Sequence, residues 1–252
     1  MSDKPLISYV IPCYNAEVNL MDTFRSIYET HLSYSKMKKV DDFWDQIQIV
    51  LVDDGSTDAT WDIMRYLRDE FPKNVRIIGL RANMGKGIAR NEGNKLAEAD
   101  IIAVLDADDW NFTDRSRYIL DAFKNKLEAD IFYSGFIGHH IYSNKEGHFG
   151  ADSIDRKVLK AAGTFGICHS TVAYRKKAIL EEPYSNDRDK DDWSMLWNFF
   201  SKGRVFTHLS KMLVVYRVRE ETLKTENDPE NQKRIFDKKS KIMETYFNKA
   251  AA

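Results

Sequence analysis

The sequence predicts an α/β fold with a mostly parallel central sheet flanked by helices, in a single domain. Three observations predict it. Short apolar runs alternate with helical patterns four times between Ile7 and Leu105, which calls for parallel strands joined by helical crossovers. Each run stops at a polar, glycine or carboxylate cluster, and open parallel sheets bind ligands at that edge. The 252 residues, 43% hydrophobic and 31% charged, suffice for one ordinary buried core.

The first strand begins at Ile7 and is expected to finish at Pro12, which cannot donate to a ladder. Asn15 then stands where a helix is capped, and Leu20, Phe24 and Ile27 mark that helix from about Glu17 to Thr30. The polar, Lys-rich stretch 31–46 reads as a connection without assignable structure. Ile47 to Val52 forms the second strand and ends in Asp53-Asp54-Gly55-Ser56-Thr57-Asp58. Gly55 permits a turn, and Ser56 or Thr57 is expected to cap a helix whose apolar face is Trp61, Met64 and Leu67. Val75 to Leu80 is the third strand. Asn83-Met-Gly-Lys-Gly-Ile-Ala-Arg-Asn91 leads into a helix, with Lys86 and Arg90 near its start, an arrangement that suits phosphate.

Five apolar residues, Ile101 to Leu105, form the fourth strand and stop at Asp106-Ala107-Asp108-Asp109. On an extended backbone Asp106 and Asp108 point the same way, as two hard oxygen donors able to hold Mg²⁺ or Mn²⁺ with a phosphate. The competing reading is that one of them caps the next helix.

Beyond this point the pattern is less regular. A helix is expected over Asp114 to Lys126 and a strand over Ile131 to Ile137, followed by a polar excursion over 138–163. A further strand lies within Gly166 to Tyr174, and Arg175-Lys-Lys177 reads as a solvated helix start. Asp191 and Asp192 precede a helix bearing Trp193 and Trp197, whose spacing of four fits a core. Val205 to Thr207 and Met212 to Val218 read as two strands, and the charged tail as an amphipathic helix. The chain divides into 1–110, which holds the regular strand and helix alternation, 111–223, which is less regular, and the tail 224–252.

The 38 basic and 39 acidic residues leave a net charge of −1, so no overall cationic field points to nucleic acid or an anionic membrane. Cys13 and Cys168 are too few for a disulfide framework, and no apolar run reaches the length of a membrane span. No signal peptide is evident, and the expected location is cytoplasmic. Ala250 to Ala252 resembles a cloning remnant. His139, His140 and His169 match no zinc spacing and are read as local hydrogen-bonding groups.

Four segments together resemble glycosyltransferase family 2: Pro12-Cys-Tyr-Asn15, Val52 to Asp58, Asn83-Met-Gly85 with Ala89-Arg-Asn91, and Leu105 to Asp109. Asp191-Asp192 before a Trp-rich helix, and the later Tyr216-Arg217, resemble the family's acceptor-side acidic pair and its Tyr-Arg segment. The resemblance implies a GT-A, Rossmann-like fold, a nucleotide-diphosphate sugar donor, a divalent cation and inversion at the anomeric carbon. It implies that Pro12, Tyr14 and Asn15 meet the nucleoside and that Asp53 reads the base edge. Asn83, Lys86 and Arg90 would surround the nucleotide, Asp106 and Ala107 the ribose and donor, and Asp108, with Asp106, the metal. Asp192 would be the general base, with Asp191 orienting it. Two positions depart from the family pattern. Asp191 stands where the family usually has Glu, and Arg219 where many members carry a metal-side His; a guanidinium serves a diphosphate but not a metal.

An imide N–H can donate to Asp53, so UDP is the expected carrier, with thymidine and guanosine carriers behind it. The acceptor is a glycan, a lipid-linked sugar or a protein. A sugar-phosphate nucleotidyltransferase is the alternative enzyme, although its usual Gly-rich loop is replaced here by Pro12 to Asn15. The non-enzymatic alternative is a catalytically silent nucleotide-sugar-binding protein.

Overall fold

A computed structural model of the chain describes residues 4–38, 43–140, 145–149, 166–186 and 191–218, with Glu230. Strands β1 (Ile7–Cys13), β2 (Ile47–Asp53), β3 (Val75–Gly79) and β4 (Ile101–Val104) lie parallel in the order β3-β2-β1-β4. Every residue of β1 and β2 is buried, because both faces of this part of the sheet are covered. On one face Leu20, Phe24, Met64, Leu67 and Ile119 form a core; on the other, Val10, Ala89, Ile179, Met195 and Trp197 form a second. Trp197 is therefore core, as its spacing suggested.

β1 does not finish at Pro12. Its ladder to β4 stops at Val10, and Pro12 pairs with Val52 on the β2 side alone, so its missing N–H is tolerated. Helix α1 (Leu20–Lys38) begins three residues later than expected and continues well past Thr30. Residues 31–46 contain neither Gly nor Pro, so nothing stops the helix at Thr30, and the segment is not the featureless connection its polarity suggested.

The late start has a local cause, because the polar groups expected to cap α1 and α2 (Thr60–Glu70) fasten the two loops to each other. Asn15, in the left-handed region at φ 47°, donates its amide to Ser56 Oγ at 3.0 Å and accepts the Thr57 amide at 2.9 Å. Glu17 and Asp58 exchange a second pair of such bonds: the Glu17 amide meets Asp58 Oδ2, and the Ala59 amide meets Glu17 Oε2. Neither Ser56 nor Thr57 caps α2; Asp58 Oδ1 accepts the Thr60 amide instead. Helix α3 (Lys86–Leu96) packs flat on the sheet through Gly93, where an added Cβ would stand 2.5 Å from Val10 Cγ1.

The later elements are β5 (Trp110–Asn111), α4 (Arg115–Asn125), β6 (Ile131–His140), β7 (Lys145–Phe149), β8 (Ala173–Arg175), α5 (Lys176–Glu181), α6 (Asp191–Ser201) and β9 (Phe206–Val218). They extend the same sheet in the order β4-β8-β6-β9-β5, with β7 on β6, giving nine strands among the described residues. The two strands expected over 205–218 are one. Opposite Ser134 to Gly135 the register jumps from Leu209 to Met212, and the intervening Ser210 and Lys211 are exposed, which breaks the apolar pattern without breaking the strand.

The expected excursion after Gly138 begins as the end of β6, with β7 returning antiparallel; 141–144 and 150–165 lie outside the described residues. The helix expected at Arg175-Lys-Lys177 does start there, at Lys176 with Arg175 as its N-cap, but Arg175 also ends β8 and is not simply solvated: its guanidinium donates to the carbonyls of Ala129 and Leu127, both at 2.8 Å. The tail, Glu230 apart, and Arg219 lie outside the described residues. No helix among the described residues is long and apolar enough to cross a membrane.

Candidate active site

A cavity of about 350 Å³ opens at the carboxyl edge of the parallel strands, within the range of small-ligand sites. Pro12 and Tyr14 come to it from β1, Asp54 from β2, Asn83 and Lys86 from the start of α3, and Asp106, Ala107 and Asp108 from β4. The loop before α3 is shaped by Asp54, whose carboxylate accepts the amides of Met84 (2.6 Å) and Gly85 (2.9 Å). Gly85 holds φ at 97°, a conformation that favours glycine. Asn15, in the loop after β1, and Asp53, the last residue of β2, are set back from the cavity lining: Asn15 binds Ser56 and Thr57, while buried Asp53 accepts the Ser56 amide at 3.2 Å.

Asp106 to Asp109 do not continue the strand. β4 ends at Val104, and the Asp109 amide donates to the Asp106 carbonyl at 3.1 Å, closing a turn. The turn, not strand alternation, gathers the carboxylates: oxygens of Asp106, Asp108 and Asp109 lie within 4.8 Å of one another. None of them caps α4, which starts at Arg115 after Asp114. Asp109 is fully buried and accepts from Ser170 Oγ and from the Arg217 amide. Burial, reinforced by the charges of Asp106 and Asp108, pushes it up to about 8. The Arg217 guanidinium donates to the Asp108 carbonyl and lies over the Trp110 ring, 4.6 Å from its centroid. The Tyr216-Arg217 segment thus fastens the aspartate turn.

Asp106 is also bound by two cations, Lys86 at 3.0 Å and Arg90 at 2.5 Å. Burial pushes its carboxyl up, but Lys86 and Arg90 outweigh burial and hold it well below the usual carboxylate range. Arg90, only 2% exposed, reaches Asp191 with its other terminal nitrogen at 2.8 Å. Asp191 and Asp192 form the first turn of α6; Asp191 is buried and Asp192 half-buried. Burial pushes the Asp191 carboxyl up, with Arg90 opposing it.

Residues 8–182, more than half of the chain, match the family model described as glycosyl transferase family 2. The chain belongs to that family. One relative of this family 2 chain is the Escherichia coli protein named UDP-Glc:alpha-D-GlcNAc-diphosphoundecaprenol beta-1,3-glucosyltransferase WfaP, 29% identical over 84% of this chain and 77% of its own. The putative teichuronic acid biosynthesis glycosyltransferase TuaG of Bacillus subtilis is 31% identical over 51% of this chain and 41% of its own. Among solved structures, S. aureus TarS 1-349 in complex with UDP-GlcNAc superposes with a TM-score of 0.66 at 20% identity, covering 85% of this chain and 59% of that one. The mannosyltransferase PcManGT from Pyrobaculum calidifontis, in complex with GDP-Man and Mn²⁺, gives 0.59 at 18% identity over 84% of this chain and 56% of that one. The chain therefore spans less than two thirds of the solved chains it resembles. These likenesses show the GT-A fold that the motif resemblance implied.

In this family 2 chain, Pro12, Tyr14, Asn83, Lys86, Asp106, Ala107 and Asp108 share one cavity wall. The acidic pair is tied to them through Arg90. His169 is buried and bonds Tyr184 through Nε2 at 2.6 Å; burial, then the charge of Arg90, pushes it down to about 3. His139 stacks on Trp110 and lies 3.4 Å from Glu146, so these two histidines serve local contacts. Asp54, Ser170 and Tyr184 were not singled out by sequence. Only Asp54 had a signal, its place beside Asp53 at a strand end; Ser170 and Tyr184 belong to no motif and matter through long-range contacts.

Proposed function

We propose that the chain is an inverting glycosyltransferase that moves a sugar from a nucleotide-diphosphate donor, a UDP-sugar first, to a hydroxyl acceptor. The observation that carries this reading is that Arg90 pairs with both Asp106 and Asp191, which brings the donor-side aspartate turn and the acidic pair into one polar centre. The names of WfaP and of the TarS complex support UDP-linked glucose or N-acetylglucosamine as the donor, and WfaP's name supports a lipid-diphosphate-linked sugar as the acceptor.

The carboxylate cluster fits a divalent cation, Mn²⁺ or Mg²⁺, because its oxygens are hard donors within ligating reach of each other. Asp108, half-exposed on the cavity wall, and Asp106 would hold it, with Asp109 as a buried support. A bound cation supplies charge neutralisation for the leaving diphosphate. Lys86, ion-paired to Asp106, adds a positive charge on the same wall. Tyr14 and Pro12 offer the nucleoside an apolar wall, while Asp53 is the expected reader of the uracil N–H. Arg219 is the proposed later diphosphate contact. With the leaving group served by cations, one carboxylate suffices to take the acceptor proton. Asp192 has that role, and Asp191 orients it.

The test is release of UDP from UDP-glucose and UDP-N-acetylglucosamine with Mn²⁺, with and without a lipid-diphosphate-linked N-acetylglucosamine; GDP-mannose serves as comparison. Acceptor-dependent UDP release is expected. Pyrophosphate release from UTP and a sugar 1-phosphate would assign a nucleotidyltransferase instead, and UDP-sugar binding without turnover a silent binding protein. UDP binding no tighter than CDP would remove Asp53 as base reader.

A further inference from the structure

The Ala89-Arg90-Asn91 motif touches the acceptor half more than it touches the cavity. Asn91 clamps Tyr184 through two backbone hydrogen bonds, donating to its carbonyl at 2.9 Å and accepting its amide at 3.0 Å. Two residues before that motif, Gly87 lets the first turn of α6 sit directly on α3: an added Cβ would stand 2.8 Å from both Asp191 Cβ and the Ser185 carbonyl. Between these contacts Arg90 places one terminal nitrogen on Asp106 and the other on Asp191, with its guanidinium 5.5 Å from the centroid of the Tyr184 ring. A planar fork can span two carboxylates in fixed directions, which an ammonium cannot.

We infer that Arg90 is a positioning residue rather than a nucleotide ligand: it ties the general-base turn of α6 to the aspartate turn, and so sets where Asp192 stands relative to the donor. The assignment of the base rests on the function proposed above; the tie itself does not.

The consequence is asymmetric. Asp106 keeps Lys86 when Arg90 is replaced, so the donor wall retains a cation. Asp191, buried and ion-paired to Arg90, is the carboxylate left without compensation. Removing Arg90 therefore shifts the acidic turn before it disturbs the cavity. A displacement of about 1 Å at a reacting group can lower a rate by ~10²-fold.

The experiment compares Arg90→Lys, Arg90→Gln, Asp191→Asn and the double variant Arg90→Gln with Asp191→Asn. Calorimetry with UDP and Mn²⁺ should give affinities within about threefold of the parent for each folded variant. Transfer at saturating donor should fall by ~10²-fold in Arg90→Gln and less in Asp191→Asn. The double variant should recover part of the loss, because it no longer buries an unpaired carboxylate, so the cycle is non-additive. Hydrogen exchange of the amides at 191–195, measured without substrate, should quicken in Arg90→Lys. Should the arginine variants fail to fold, Asp191→Asn breaks the same pair from its other end and reads the same quantities. Loss of UDP affinity with turnover kept at saturating donor would make Arg90 a nucleotide ligand, and unchanged exchange or strict additivity would remove the tie. If the parent itself transfers no sugar, the proposed function fails, while exchange and UDP titration still decide Arg90.

Discussion

Asp54 holds Gly85 by a hydrogen bond from the glycine amide at 2.9 Å, and the same carboxylate takes the Met84 amide at 2.6 Å. The loop that delivers Lys86 to the cavity is thus shaped by a carboxylate from β2. Asp54→Ala leaves both amides without that partner, at a cost of about 1–3 kcal/mol, and should weaken UDP binding as the loop loosens. Asp54→Asn keeps one acceptor oxygen and should cost less. Urea unfolding with UDP calorimetry checks this; an unchanged midpoint and affinity in Asp54→Ala would show that the loop holds itself.

Asp108 is a half-exposed member of the aspartate cluster, on a turn whose backbone is fixed by Asp109, Ser170 and Arg217. Asp108→Ala should therefore leave the fold intact and abolish the Mn²⁺ dependence of UDP-sugar affinity. Titrating UDP with and without a chelator reads it directly. Equal metal dependence in parent and variant would move the cation elsewhere.

Asp192→Asn keeps the shape of the acidic turn but cannot take a proton. Sugar transfer should drop by ~10² to 10⁴ while donor affinity stays near that of the parent. Near-normal turnover at saturating acceptor would reject this residue as the base. A parallel loss of donor affinity would place it in the nucleotide site instead.

His169 gives a pH prediction. Burial, with Arg90 nearby, keeps it neutral in the folded chain down to about 3, whereas an unfolded histidine takes its proton near 6.5. Between these values the unfolded state binds more protons, so stability rises with pH across the window. It is lost on acidification from about 6.5 toward 3, by up to ~1.4 kcal/mol per pH unit from this group. His169→Gln can keep a bond to Tyr184 and should flatten that slope. Urea midpoints from about pH 7 to 5 for both proteins decide it, and parallel slopes would mean that His169 titrates normally.

The strands, their edge and the aspartate cluster could be read from sequence because carboxylates interrupt otherwise continuous apolar runs, an expensive pattern that marks a strand end. The length of α1 could not, since residues 31–38 lack an apolar period and only the absence of Gly and Pro hinted at helix. β9 looked like two strands because the exposed Ser210 and Lys211 sit in a bulge. Asn15 and Ser56 looked like caps; whether such groups close their own helix or a neighbouring loop depends on what the fold sets opposite them. Arg90 near a helix start suggests a phosphate cation, and that suggestion rests on local sequence alone. Its second partner, Asp191, is 101 positions away, a distance over which no local pattern carries information.

Three residues of β8 join the strands that carry the donor motifs to those that follow. Ala173, Tyr174 and Arg175 pair antiparallel with β4, and the same Ala173 and Tyr174 pair with the start of β6. This has a bearing on chimeras built to graft a new acceptor specificity. Residues 1–110 cut out alone would leave β4 without its β8 partner, a bare edge open to strand addition by another chain. An exchange that carries 173–175 together with 1–110 keeps β4 paired, so a single seam at residue 110 does not respect the sheet.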